Sequence, residues 1–151
     1  MIALIQRVSE AGVHVDGHRV GAIEAGILAL IGVAQGDGAV AAERLLERVL
    51  DYRIFPDAAG RMNLSLRQVG GGLLLVPQFT LAADTERGNR ASFSRAAAPP
   101  EAARLFELLL HLARARHTPV AAGHFGARMQ VSLTNDGPVT FWLEAGQPRE
   151  A

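Results

Sequence analysis

Few residues in this chain can do chemistry, and their spacing narrows the choice of reaction. All 15 basic residues are arginine and there is no cysteine. That removes thiolate nucleophiles, Cys-ligated zinc, disulfides, Schiff-base chemistry and a P-loop lysine. Hydroxyls remain at Ser65, Thr80, Ser92 and Ser94, but no G-x-S-x-G elbow exists to activate a serine. Thr80 draws the most interest: "VPQFTL" (76–81) sets it just past an apolar run, where backbone amides leave a core. The plainer reading makes Phe79 and Leu81 core residues with an exposed β-former between them. Metal binding by His14, His18, His111, His117 and His124 is disfavoured. The first two flank a tight turn, and His111 and His117 are six apart and point to different helix faces. Gly70-Gly71-Gly72 comes before an apolar run rather than between a strand and a helix, so a plain turn fits better than a phosphate loop.

Two further features stand out. In "IQRVSE" Arg7 interrupts an apolar strand pattern, either as an edge charge or as a guanidinium that fixes backbone carbonyls elsewhere. In "VSLTNDGPVTFWLE" (131–144) a turn signal is followed by Pro138, which has no N–H to pair across a hairpin. Either Gly137-Pro138 merely separates two strands, or it presents backbone carbonyls to something.

The elements that must position these residues follow from periodicity. Ile2 to Val8 and Val13 to Val15 alternate as strands, with a hairpin signal at Asp16-Gly17. "GILALIGV" (26–33) and "LLLV" (73–76) are continuous apolar runs, as expected of strands buried on both faces. Val40, Leu45, Leu46, Val49 and Leu50 form a helical stripe opposite Glu43, Glu47 and Arg48, with Asp37 or a neighbour as N-cap. Pro99-Pro100 opens a second helix with Leu105, Phe106, Leu109, Leu112 and Ala113 on its apolar face. Arg128 to Leu133 and Val139 to Leu143 read as a closing strand pair, and "FPDAAGRMNLSL" (55–66) as a surface connection. Residues 77–100, from Pro77 to Pro100, carry little periodic signal, and a connection that long in a compact domain needs a task. The sum is a mixed α+β fold over residues 1–151 as one domain, strands outnumbering helices.

Composition bounds the partners. Fifteen Arg balance fifteen Asp plus Glu, which argues against a broad nucleic-acid clamp and leaves room for a small, local contact. The N-terminal stretch reads as a strand rather than a signal, no run is long enough to span a membrane, and the lack of cysteine makes a cytosolic setting the simplest expectation.

Four stretches, "LIQRVSEAGVHVDG", "RIFPDAAGRMNLSL", "LLVPQFTLAADTERGNRASFS" and "FGARMQVSLTNDGPVT", closely resemble the D-aminoacyl-tRNA deacylase family, in that family's order along the chain. Two positions depart from its pattern: Pro77 replaces the usual serine before QFTL, and Ala91 the usual proline of R-P-S-F. The first implies that the serine hydroxyl is dispensable. The resemblance implies a barrel-like, mostly antiparallel or mixed sheet with two main helices packed on it. It implies a homodimer in which a cis Gly137-Pro138 peptide of one protomer faces Gln78, Phe79 and Thr80 of the other. Catalysis would fall to Gln78, Phe79 and Thr80. Pro77, Leu81, Met129, Asn135, Gly137, Pro138 and Val139 would bind substrate and select its chirality, with Arg7 as structural support. The implied reaction is hydrolysis of the ester joining a D-amino acid to tRNA, or glycine mischarged on tRNA for alanine. It serves translational proofreading in the cytoplasm, with no cofactor, metal, DNA or membrane. Two readings from other classes are a hydrolase of free D-amino-acid esters and a non-enzymatic dimeric binding module.

Overall fold

The structure, a computed structural model, describes residues 1–146. Strand β1 runs through Ile2–Val15 without the expected break. It continues because Glu10, Ala11 and Gly12 find partners in Thr134, Leu133 and Ser132. Asp16 and Gly17 both take positive φ, 50° and 78°, and turn the chain into β2 (His18–Ile23), antiparallel to the second half of β1. β3 (Gly26–Gly32) pairs with the first half of the same β1 edge.

Helix α1 (Ala39–Asp51) follows. Its buried stripe is Ala41, Ala42, Leu45, Leu46, Val49 and Leu50, and Val40 falls outside it, 65% exposed. Its N-cap is Gly38. The Asp37 carboxylate turns instead to the Ala34 amide and the Met1 ammonium, each at 2.8 Å.

The predicted surface connection contains a small hairpin, β4 (Phe55–Pro56) with β5 (Met62–Leu64), and a third, four-residue helix, α2 (Leu66–Val69). Ser65 is no free hydroxyl: it caps α2 in a reciprocal box with Gln68.

β6 (Gly72–Pro77) runs parallel to β3. The three glycines before it are more than a turn. Gly70 is the left-handed cap of α2. Gly72 faces Gly26 so closely that a β-carbon on Gly26 would lie 1.9 Å from the Gly72 carbonyl oxygen. After a 3-10 turn (Phe79–Ala82) comes α3 (Pro99–Arg116), then β7 (Val120–Ala122) parallel to β6.

β8 (Gln130–Glu144) is a single strand, not a pair. Both of its halves pair with the free edge of β1, from Ile2 opposite Glu144 to His14 opposite Gln130. The sheet order is thus β8-β1-β3-β6-β7, and it curls until β2 abuts β7, where a β-carbon on Gly21 would come 2.8 Å from the Ala122 carbonyl. The result is a nearly closed, barrel-like sheet.

Two cores explain the continuous apolar runs. One face of β3 and β6 (Ile27, Ala29, Leu73, Leu75) meets α1 and α3. The other (Leu28, Leu74, Val76) fills the inside of the curl with Val8, Val13 and Ile23. Each Val, Leu or Ile among them contributes roughly 1.5–3 kcal/mol by leaving water. The end of β6 is therefore fixed from both sides.

Candidate active site

Where β6 leaves the core, the backbone stays tied for one more residue: the Gln78 amide donates to the Ile31 carbonyl at 2.7 Å. The chain then tightens into the 3-10 turn, closed by Leu81 N–H to Gln78 O and Ala83 N–H to Thr80 O, both 3.2 Å. The amides of Phe79 and Thr80 open this turn, and among the described residues neither donates to a protein acceptor. Two adjacent amides without partners are a natural receptor for a developing oxyanion. The turn sits tightly on β3, because Gly32 has no side chain: a β-carbon there would lie 2.9 Å from the Leu81 β-carbon and 3.3 Å from the Gln78 carbonyl.

The side chains of the turn offer little nucleophilic chemistry. The Gln78 carboxamide donates to the Thr80 hydroxyl, and among the described residues no histidine or carboxylate is bonded to Thr80. Phe79, 59% exposed, packs against Phe93 with ring centroids 5.1 Å apart and the rings tilted by 48°. With Pro77, Ala97, Phe125 and Gly126 these rings line an apolar cleft of about 480 Å³, a size suited to a small ligand. Met129 is not part of this lining: it packs against the core inside the curl, and its sulfur and the Pro77 ring both border Gly123. Beside the cleft, residues 85–91 form a loop closed by the Asp84–Ser92 bridge. It carries Arg87 and Arg90, which have no carboxylate partner within 4.0 Å among the described residues. Phe93 and Phe125 escaped the sequence reading. The only signal for them was the length of the aperiodic segment and their place in the quoted motifs.

Arg7, Asn135, Gly137, Pro138 and Val139 form a second cluster elsewhere. Gln6 lies opposite Thr140 and Val8 opposite Asn135, so residues 136–139 bulge from β8 against Arg7 alone. The Gly137–Pro138 bond is cis, and both residues are exposed. Arg7 reaches under the bulge. Its Nε donates to the Asp136 carbonyl at 2.9 Å and its Nη1 to the Ile54 carbonyl at 2.6 Å. The half-buried Asn135 has its carboxamide engaged with the Val139 backbone, and the Val139 side chain is buried.

The two clusters do not meet within one chain. Gln78 is tied to Ile31, which pairs with Ala3 on β1, four residues from Arg7. At strand spacings that is roughly 13 Å along the sheet and about 14 Å across three strand steps. Among the described residues no cluster of three or more His, Asp or Glu is placed to hold a metal ion. No helix is long and apolar enough to cross a membrane.

The fold and site define a class of small curled-sheet domain. One wall of its site is strand-end backbone, and a proline bulge is displayed on a distant edge. The chain belongs to the D-Tyr-tRNA(Tyr) deacylase family, whose model matches residues 4–144. It is 68% identical over 149 residues to a D-aminoacyl-tRNA deacylase of Thioalkalivibrio sulfidiphilus (strain HL-EbGR7), covering 99% of this chain and 100% of that one. It is 65% identical over 145 residues to another from Alkalilimnicola ehrlichii (strain ATCC BAA-1101 / DSM 17681 / MLHE-1), covering 96% and 97%. Among solved structures it is similar to the c-Myc DNA Unwinding Element Binding Protein, with a TM-score of 0.92, 35% identity and coverage of 97% and 100%. A probable eukaryotic D-amino acid tRNA deacylase shares the fold at a TM-score of 0.76 and 16% identity, covering 95% and 98%.

Proposed function

We propose that the protein hydrolyses the ester of D-aminoacyl-tRNA, and of glycyl-tRNA, as a homodimer whose Gly137–Pro138 bulge completes the site of the opposite copy. The observation that carries this reading is the pair of free amides at Phe79 and Thr80, set beside an apolar cleft and out of reach of their own chain's bulge. The family assignment supports the substrate class.

The terminal adenosine lies in the cleft against Phe79 and Phe93, and the Phe79 and Thr80 amides take the ester's carbonyl oxygen as it gains charge. Losing one such donor costs about 2.7–4 kcal/mol of barrier. Water is the attacking group, oriented by the neighbouring ribose hydroxyl, since Thr80 has no base to activate it and an aminoacyl ester is already labile. The carbonyls of Gly137 and Pro138 wall one side of the α-carbon. An L side chain collides with that backbone, a D side chain points away, and glycine has none to exclude. Arg87 and Arg90 meet the phosphates of the single-stranded acceptor end, a contact small enough for a chain of zero net charge.

The test compares deacylation of D- and L-tyrosyl-tRNA, with D-tyrosine ethyl ester as a third substrate and sedimentation for mass. The expected result is a dimer that releases D-tyrosine from tRNA and spares the L-ester. Equal turnover of the free ester would point to a plain esterase, and binding without turnover to a binding module.

A further inference from the structure

The break in pairing between β1 and β8 leaves the backbone of residues 136–139 without a ladder, since only Arg7 stands opposite them. Unpaired backbone groups are costly once they leave water. Arg7 satisfies the near side of the bulge at Asp136. The far side is Val139, whose side chain is buried and whose backbone must also be met.

One side chain does this. Asn135 Oδ1 accepts from the Val139 amide at 2.7 Å, and Asn135 Nδ2 donates both to the Val139 carbonyl at 3.3 Å and to Thr140 Oγ1 at 3.0 Å. A carboxamide is a peptide group in miniature, so exchanging a donor and an acceptor with one residue reproduces the doubly bonded pair of an antiparallel sheet. The backbone N–H of Val139 can only donate, which fixes which amide atom faces it. Asparagine alone suits the place: aspartate has no donor for the carbonyl, and glutamine is one methylene too long for the same ring.

We propose that Asn135 is a positioning residue for chiral discrimination, and that its carboxamide acts as a surrogate strand closing the bulge and setting the direction of the Gly137 and Pro138 carbonyls. This rests on the reading above, in which those carbonyls face the α-carbon of the substrate in the other copy. It gives Asn135 a task different from the substrate contact expected of it. Its partner Thr140 serves only as acceptor, so a serine there suffices and a valine does not.

The test uses the full-length chain carrying Asn135→Ala, Asn135→Asp, Thr140→Val or Thr140→Ser. Each variant is assayed for the ratio of D- to L-tyrosyl-tRNA deacylation, and the position of residues 136–139 is determined by crystallography. Asn135→Ala is expected to lower the ratio roughly tenfold, equivalent to one or two uncharged hydrogen bonds. Asn135→Asp keeps the bond to the Val139 amide but sets acceptor against acceptor at its carbonyl, and loses a similar factor. Thr140→Val loses less, and Thr140→Ser retains the wild-type ratio. If Asn135→Ala is insoluble, Asn135→Asp against the Thr140 pair carries the test. An unmoved bulge, or D and L rates that fall together at constant ratio, overturns the proposal. A wild-type protein that does not separate D from L overturns the underlying reading instead.

Discussion

The strand-end turn at Pro77–Leu81 and the bulge at Asn135–Val139 are held in opposite ways. The turn ends the doubly buried β6, is tied through the Gln78 amide to Ile31 of β3 and lies in close contact with Gly32, so its geometry is inherited from the core. The bulge leaves the ladder altogether and is held by two side chains, Arg7 and Asn135. A turn built from backbone tolerates changes in its own side chains and fails when the strand beneath it is altered. A bulge held by side chains fails when either of them is removed. In the proposed reading both regions act through main chain, which no substitution at the site itself can delete.

The largest effect expected on this comparison comes from beneath the turn. Gly32→Ala pushes on Leu81 and the Gln78 carbonyl and should lower kcat for D-tyrosyl-tRNA by about 10²–10³, the loss of one aligned oxyanion donor. Single-turnover assays at saturating enzyme measure it. Near-normal kcat would show that the turn does not depend on its seat.

Gly137→Ala breaks the other region. Its β-carbon would lie 2.7 Å from Val139 Cγ2 and 3.2 Å from Arg7 Nη2, at a φ of +143° that side chains rarely adopt. We expect binding of D-aminoacyl-tRNA to weaken by roughly tenfold or more, from a strain of order 1–3 kcal/mol. Titration with a non-hydrolysable D-aminoacyl-adenosine analogue reads this directly.

Arg7→Ala removes two charge-assisted bonds to carbonyls from a side chain only 14% exposed. About 1.5–3 kcal/mol of stability is at stake, and the D-to-L ratio should fall with it. Lysine, a single point donor, should restore only part. Thermal denaturation and paired D- and L-assays check both.

Arg87→Ala with Arg90→Ala should raise KM several-fold at unchanged kcat and flatten its salt dependence, by a slope of about 0.7 for each single-strand phosphate no longer neutralised. The smallest effect is expected at Thr80→Val, which removes a hydroxyl occupied by Gln78 and leaves the amide in place. A trapped acyl-Thr80 intermediate would sink this.

The buried elements were legible because their physics is local. Continuous apolar runs gave β3 and β6, a helical stripe gave α1, and a proline pair gave the start of α3. What escaped was decided by distant partners. Asp37 could cap a helix on local grounds, but the Met1 ammonium took its carboxylate. Arg128 to Leu133 and Val139 to Leu143 read as two strands because the Asn-Asp-Gly-Pro between them is turn chemistry. They form one strand because β1 continues past the interruption and pairs on both sides of it. The cleft was visible only as an aperiodic stretch, since aromatic residues from separate loops, Phe93 and Phe125, carry no shared period.

The distance between the turn and the bulge in a single chain has a bearing on dosage. In the proposed arrangement a lone protomer carries two halves that cannot serve each other. Activity then rises with the square of concentration when the protein is scarce, and linearly once the chains are paired. In that arrangement each paired chain offers its amides to the large pool of correctly charged tRNA only behind the wall that its partner supplies.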